Sequence, residues 1–356
     1  MSLHHLSGRR KKFTAALAVV AVLGLSACTS NDDSSDDEGN PNLDGGNSNA
    51  EAGSNDEAGD KIVIGFSAPA ADHGWMASIT DSTERVAEGY DDVELRLVEG
   101  TNDVNAQISQ VETFINDGVD AIVLLPFDGA AMTPVALQAM EAGIPVVNVD
   151  REFDDPNAAR VTVLGDNYGM GVSAGEWICN DAGGETDLVI GEIQGIASLP
   201  LTQDRSQGFA DALGECGLEV ANQVEAQFTP ESGTDAATNL LRALPEMDYL
   251  WNHDDDQGVG VLAAIEEAGR DEFKMIGGAG SKQVMESIKA DDSVLKATVI
   301  YPSTQGADGL KLARLLAQGK AVDDLVEVEV PREVQLYAPV VTADNVDKYL
   351  ETAFES

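Results

Sequence analysis

From Lys61 onward, short runs of apolar, β-branched residues alternate with amphipathic stretches. Residues 62–66, 93–98, 121–125 and 145–149 read as strands, separated by helical patterns at 75–88, 104–116 and 130–142. In the second of these helices Ile108, Val111, Phe114 and Ile115 recur on one face. A second series places strands at 161–164, 187–190, 220–228, 249–251, 274–276 and 295–300. Its helices fall at 168–180, 201–213, 234–243, 259–268 and 281–290. Tyr301 and Pro302 interrupt the pattern before a helix at 306–317, and extended stretches at 326–330 and 334–337 precede a short helix from Asp344. Repeated βα units predict right-handed crossovers and parallel sheets covered by helices on both faces. Two series of similar size, with the chain returning late to the first, predict two doubly wound α/β lobes with a ligand cleft between them.

One strand carries more than its share of the pattern. Residues 144–151 run Ile, Pro, Val, Val, Asn, Val and then end in Asp150 and Arg151. The apolar part predicts a strand buried on both faces. In open α/β sheets ligands sit at the carboxyl ends of strands, so this acid and base would face the cleft. A carboxylate accepts hydrogen bonds and a guanidinium donates them in a fixed fork, a combination suited to a neutral polyhydroxylated ligand. An exposed loop ion pair is the alternative.

The amino terminus is a different kind of sequence. Arg9, Arg10, Lys11 and Lys12 precede an apolar stretch at 13–25 that is too short, with those flanks, to span a bilayer. It ends Leu25, Ser26, Ala27, Cys28, which resembles a bacterial lipobox with Cys28 as the acylated residue. Residues 29–60 hold ten Asp or Glu, no Lys or Arg and almost no apolar side chain, predicting a disordered acidic tether. A leader at 1–28 and a tether at 29–60 place the working part outside the membrane, anchored through Cys28.

Composition then narrows the function. The formal net charge is −42, of which −36 falls on residues 61–356. Such a field repels nucleic acid and anionic membranes. Cys179 and Cys216 are the two cysteines left, and in an exported chain a pair reads as a disulfide, with two buried thiols as the alternative. With only His73 and His253 in the mature part, no metal site is expected. Gly258 to Ala263 fits G-x-G-x-x-A, yet His253, Asp254, Asp255 and Asp256 intervene after the strand, and three carboxylates would repel a pyrophosphate. The glycines at 277–280 lack phosphate-loop spacing and read as a βα turn. No nucleophile elbow or triad pattern appears, so neither catalysis nor a cofactor is expected. Asp255 and Asp256 read as a solvated helix start, and Trp177 and Trp251 as core.

Four stretches at strand ends stand out: 67–75, Asp150 with Arg151, Gln194 to Ala197 leading to Arg205, and 253–255. With Gly208 and Phe209 after Arg205 and the lipobox in front, the chain resembles the ribose-binding (type I) family of sugar-binding proteins of ABC transporters over nearly all of residues 61–345. The resemblance implies a ligand set of Ser67, His73, Trp75 and Met76 from the first lobe, with Asp150 and Arg151 clamping ring hydroxyls. Arg205, Phe228 and Asp254 would come from the second. His73 and Asp254 stand where the family has Asn and Met76 where it has an aromatic. Ala279 replaces a usual Asp, and Tyr301 a hinge Gln. These departures bear on which sugar is bound. Charged groups at a sugar's rim and Trp75 or Phe228 over its face make chemical sense independently of the family.

The resemblance also implies a three-strand hinge near Asp166, Tyr301 to Pro302 and 337–340. The N-terminal lobe would then comprise 61–165 and 302–335, and the C-terminal lobe 166–301 and 336–356. The function implied is that of a monomeric, lipid-anchored, extracytoplasmic protein, not an enzyme, that closes on a small neutral sugar or polyol and delivers it to an ABC permease. A sensor-type binding protein for a polyol or signalling molecule, and an exported α/β enzyme, are the alternatives. A sugar-responsive repressor is disfavoured by the leader, the charge and the lack of a helix-turn-helix.

Overall fold

The computed structural model describes residues 57–322 and 330–355. The leader, Cys28, the tether up to residue 56 and the extended stretch at 326–329 lie outside these residues. The chain begins β1 (Ile62–Ser67), α1 (Gly74–Glu88), β2 (Val93–Leu97), α2 (Val104–Asp117), β3 (Ala121–Leu124), α3 (Gly129–Glu141), β4 (Val146–Val149) and β5 (Val161–Gly165). It continues α4 (Asn167–Ala182), β6 (Ile190–Gln194), α5 (Pro200–Glu215), β7 (Val220–Glu225), α6 (Pro230–Ala243), β8 (Tyr249–Asn252) and α7 (Asp255–Ala268). Then come β9 (Lys274–Ala279), α8 (Lys282–Ala290), β10 (Leu295–Ile300), α9 (Gln305–Ala317), β11 (Glu333–Leu336), β12 (Val340–Thr342) and α10 (Val346–Tyr349).

Two six-stranded sheets result, ordered β11-β5-β4-β3-β1-β2 and β12-β10-β9-β8-β6-β7. Every strand pair is parallel except β10 with β12. Central β3 and β4 bury every residue, whereas edge β7 alternates half-buried and exposed. The hydrophobic pattern thus reports position within the sheet. Local chemistry sets the ends of the helices. Asp103 caps α2 by accepting from the Asn105 and Ala106 amides, and Gly118 closes it at φ 65°. The chain passes between the sheets three times, after β5, after β10 and between β11 and β12, which makes a three-strand hinge.

β5 pairs with β4 and so belongs to the first sheet. Three expectations are corrected. β6 starts at Ile190 and not Asp187, because the Asp248 carboxylate takes the Val189 amide before pairing with β8 begins. α7 starts four residues earlier than its apolar face suggests, since Asp254 caps it by accepting from the Asp256 and Gln257 amides. The last tether residues are fastened: Gly59 N–H donates to Asp92 at 2.6 Å, and Arg314 donates to the Glu57 carbonyl at 2.8 Å. Asp92 and Arg314 form a buried ion pair beneath them. Cys179 on α4 and Cys216 at the end of α5 are joined in a disulfide.

Candidate functional site

β4 delivers Asp150 and Arg151 to the cleft through a backbone turn that few residues other than glycine adopt. Asp150 has φ 65°, with its amide held by the Val163 carbonyl at 2.9 Å. This reversal lets two adjacent side chains face the same space. The Arg151 Nε stands 3.9 Å from an Asp150 carboxylate oxygen, and its Nη1 donates to the Phe127 carbonyl at 2.9 Å. Arg151 Nε is buried without a hydrogen-bond partner, and Arg151 lines the cleft.

Opposite, α5 presents Arg205, itself buried. Its Nε donates to Asn167 Oδ1 at 2.9 Å and its Nη1 to the His253 carbonyl at 3.2 Å. From the hinge, the Tyr301 hydroxyl donates to the Asp150 carboxylate and accepts from Asn167 Nδ2 at 3.2 Å. Burial, reinforced by the Asp150 charge, pushes the Tyr301 phenol above its ordinary range, so it keeps the proton it donates. Asp150, Tyr301, Asn167 and Arg205 therefore form one chain of contacts linking the lobes.

The walls are aromatic. Trp75 and Met76 at the start of α1 are buried, and the Trp75 ring lies 5.4 Å from that of Tyr301. His73 and Phe228 face each other across the cleft with ring centroids 6.4 Å apart. Phe228 has φ 62°, its amide held by Gln257 Oε1, and its ring lies over Gly195. A Cβ at Gly195 would come within 1.9 Å of that ring, so only glycine lets Phe228 lie there.

His73, Trp75, Met76, Asp150, Arg151, Leu201, Arg205, Phe228, Asp254 and Tyr301 line one inner chamber with about 30 Å³ of free space. That is room for about one water. Asp150, Arg151 and Leu201 also line an adjoining outer cavity of about 340 Å³, rimmed by Asp128, Glu152, Asp154 and Asp204. The lobes are drawn together around the chamber, with Asp256 of the second lobe accepting from the Trp75 amide of the first at 2.9 Å. A hollow of about 540 Å³ elsewhere is larger, but residues of α7 and α8 and the loops after them line it, all in the second lobe, and none of the residues above does.

Two expected site residues are not in the chamber. Ser67 is fully buried at the end of β1, donating to Gln110 at 2.9 Å and accepting from Gln107 at 3.3 Å, and so is spent on structure. Ala279 lines a separate hollow with Ile300 and Pro302, and its methyl group offers no hydrogen bond. Asp255 and Asp256 are not a solvated edge. Asp255 is fully buried and accepts from the amides of Gly278, Gly280 and Ser281 and from the Thr298 hydroxyl. Asp256 accepts from the Trp75 amide of the other lobe at 2.9 Å. Burial, then the neighbouring Asp256 and Asp255 carboxylates, push the Asp254 carboxyl well above the usual range. Trp251 is core, as its pattern predicts, while Trp177 is only half-buried, edge-on to Tyr249.

Asn167 and Leu201 escape a reading by residue type. Asn167 was findable only as a polar residue opening a helix directly after a hinge strand. Behind Arg205, Glu192 and His253 share a 2.8 Å hydrogen bond in the core, and Ser206 donates to Glu192 at 2.6 Å. Burial holds the imidazole below its ordinary pKa. Gly260 packs against the Pro230 carbonyl where α6 meets α7, and Gly258 against the Asn252 side chain, which accounts for the glycines of the G-x-G-x-x-A match without a nucleotide. No group of three or more His, Cys, Asp or Glu among the described residues is arranged to hold a metal.

Comparison with known proteins agrees with this architecture. Residues 64–321 match the family described as periplasmic binding protein domain. The ribose import binding protein RbsB of Bacillus subtilis is 28% identical over 77% of this chain and 88% of its own. The xylitol-binding protein of Mycolicibacterium smegmatis is 27% identical over 73% of this chain and 71% of its own. An ABC transporter solute binding protein from Bacillus halodurans, solved with bound myo-inositol, superposes with a TM-score of 0.73 at 27% identity. That superposition covers 83% of this chain and 99% of the other. These relatives are binding proteins and not enzymes. With two α/β lobes, a three-strand hinge and a family match over most of its length, the chain is a type I member of the periplasmic binding protein family.

Proposed function

We propose that this protein binds one small neutral sugar or polyol between its lobes and delivers it to an ABC permease. The observation that carries the reading is convergence: Asp150 and Arg151 from one lobe and Arg205 from the other border a single buried chamber. Guanidinium forks donate to adjacent ring hydroxyls and the carboxylate accepts from them. The Trp75 and Phe228 rings cover the C–H faces and exclude water. Relatives that bind ribose, xylitol and myo-inositol support an uncharged ligand. Ligand contacts to both lobes favour the closed state by the difference in affinity between closed and open.

In this reading the lobes comprise 61–165 with 302–335, and 166–301 with 336–356, and the protein acts as a monomer. Cys28 is the lipid-bearing residue, holding the lobes near the permease on the outer side of the membrane. A thermal-shift panel of pentoses, hexoses, inositols and linear polyols tests the ligand class. A binder raises the melting temperature in a concentration-dependent way. A flat response to every neutral polyol, with a shift for sugar phosphates or amino acids, overturns the reading. Loss of detergent partitioning in a Cys28→Ser variant tests the anchor, and unchanged partitioning contradicts it.

A further inference from the structure

Helix α1 carries His73, Trp75 and Met76 into the chamber but does not cap itself. Its N-cap residue is His73, whose side chain makes no capping bond, and its first turn holds no acid. The first amide groups of a helix have no partner within it, and its N-terminus bears a partial positive charge. The cap comes from the other lobe. Asp256 Oδ2 accepts from the Trp75 amide at 2.9 Å, 181 residues away in sequence, and both residues are buried. Helix α7 does not need this carboxylate, because Asp254 already accepts from its Asp256 and Gln257 amides. Asp256 therefore stands between two helix N-termini in different lobes and satisfies the one that lacks its own acceptor.

The geometry points to Asp256 as a positioning residue that latches the lobes, a role we infer from this shared cap. Trp75 is held at two points, by Asp256 at its amide and by the Tyr301 carbonyl at its indole N–H, 3.2 Å away. Parting the lobes about the hinge breaks the Asp256 bond first, because Tyr301 lies in the hinge itself. The latch stabilises closure before any ligand is present and must open before a ligand leaves. Once closed, it fixes the indole in the chamber wall.

The inference rests on the proposed binding function only for its ligand arm, so two measurements separate the two. Small-angle scattering of the ligand-free protein reads closure alone. Asp256→Ala and Asp256→Ser, too short to reach α1, increase the radius of gyration, and Asp256→Asn, which keeps an acceptor oxygen, stays near wild type. Stopped-flow release of a polyol from the panel reads the second arm. Release accelerates on the order of tenfold in the Ala and Ser variants, as expected for a lost buried hydrogen bond, and association quickens as well, because the ligand-free lobes stand open more often. Scattering and release that match wild type in a folded Ala or Ser variant overturn the latch. A lowered melting temperature with unchanged release marks a structural role only and also overturns it. If no polyol binds, the binding proposal fails and scattering alone decides on the latch.

Discussion

The guanidinium carbon of Arg205 lies 4.4 Å from the centroid of the Tyr301 ring, whose hydroxyl donates to Asp150. A second-lobe cation thus rests on a hinge aromatic that restrains the first lobe's carboxylate. The stacking leaves the edge of the guanidinium free to donate, and Asn167 and the His253 carbonyl fix its plane. An arginine held in this way is already oriented for a ligand and loses little entropy on binding.

Removing that fork is expected to be costly. Arg205→Ala should weaken polyol binding by about 2–5 kcal/mol, because buried hydroxyls and carboxylates lose a charged donor. Arg205→Lys should recover little, since an ammonium neither stacks on Tyr301 nor presents a planar fork. Calorimetric titration checks both, and wild-type affinity in either variant counts against the site.

Tyr301→Phe isolates the hydroxyl. The ring under Arg205 is kept, but the Asp150 carboxylate loses its donor and Asn167 an acceptor. The expected loss is about 1–3 kcal/mol of binding with a smaller change in melting temperature. The same measurements on Tyr301→Ala should show a larger loss of both.

Gly195 controls Phe228. A methyl group there would overlap the ring at 1.9 Å, and the ring would have to leave the chamber wall. Gly195→Ala should therefore lower affinity at least tenfold, while circular dichroism shows a folded protein. Binding at wild-type strength would mean that Phe228 does not cover the ligand.

Acid stability should depend on Asp92. The hydrogen bonds it accepts from buried Arg314 hold this carboxyl well below the usual range. A carboxyl depressed in the folded state contributes stability that is fully present above the unfolded value of about 4 and is lost as pH falls below it. Melting temperature should fall as pH drops below about 4 in the wild type, and Asp92→Asn should be less stable at neutral pH with a flatter acid limb. An unchanged acid limb in the variant would rule out this origin.

What the sequence makes legible follows from what each element buries. β4 is readable because a mostly apolar, fully buried strand ending in Asp150 and Arg151 has few other uses. The continuation of β6 past Ile190 is hidden from the pattern because its polar Glu192 is buried and satisfied by His253 and Ser206, partners that pattern alone does not reveal. The acids at 254–256 misled for the same reason: three carboxylates in a very acidic chain suggest solvent, yet Asp255 binds the loop after β9 and Asp256 the opposite lobe. Ser67 illustrates the converse, a residue in a ligand-facing position by sequence that its glutamine neighbours occupy entirely. Contacts between residues nearly two hundred positions apart leave no local signal.

The most direct test is a crystal structure of the protein with the tightest polyol from the panel. The account predicts a single molecule between the lobes, its hydroxyls within hydrogen-bond distance of Asp150, Arg151 and Arg205 and a ring face against Trp75 or Phe228. A ligand seated in the hollow beside α7 and α8, or one touching only a single lobe, would contradict it.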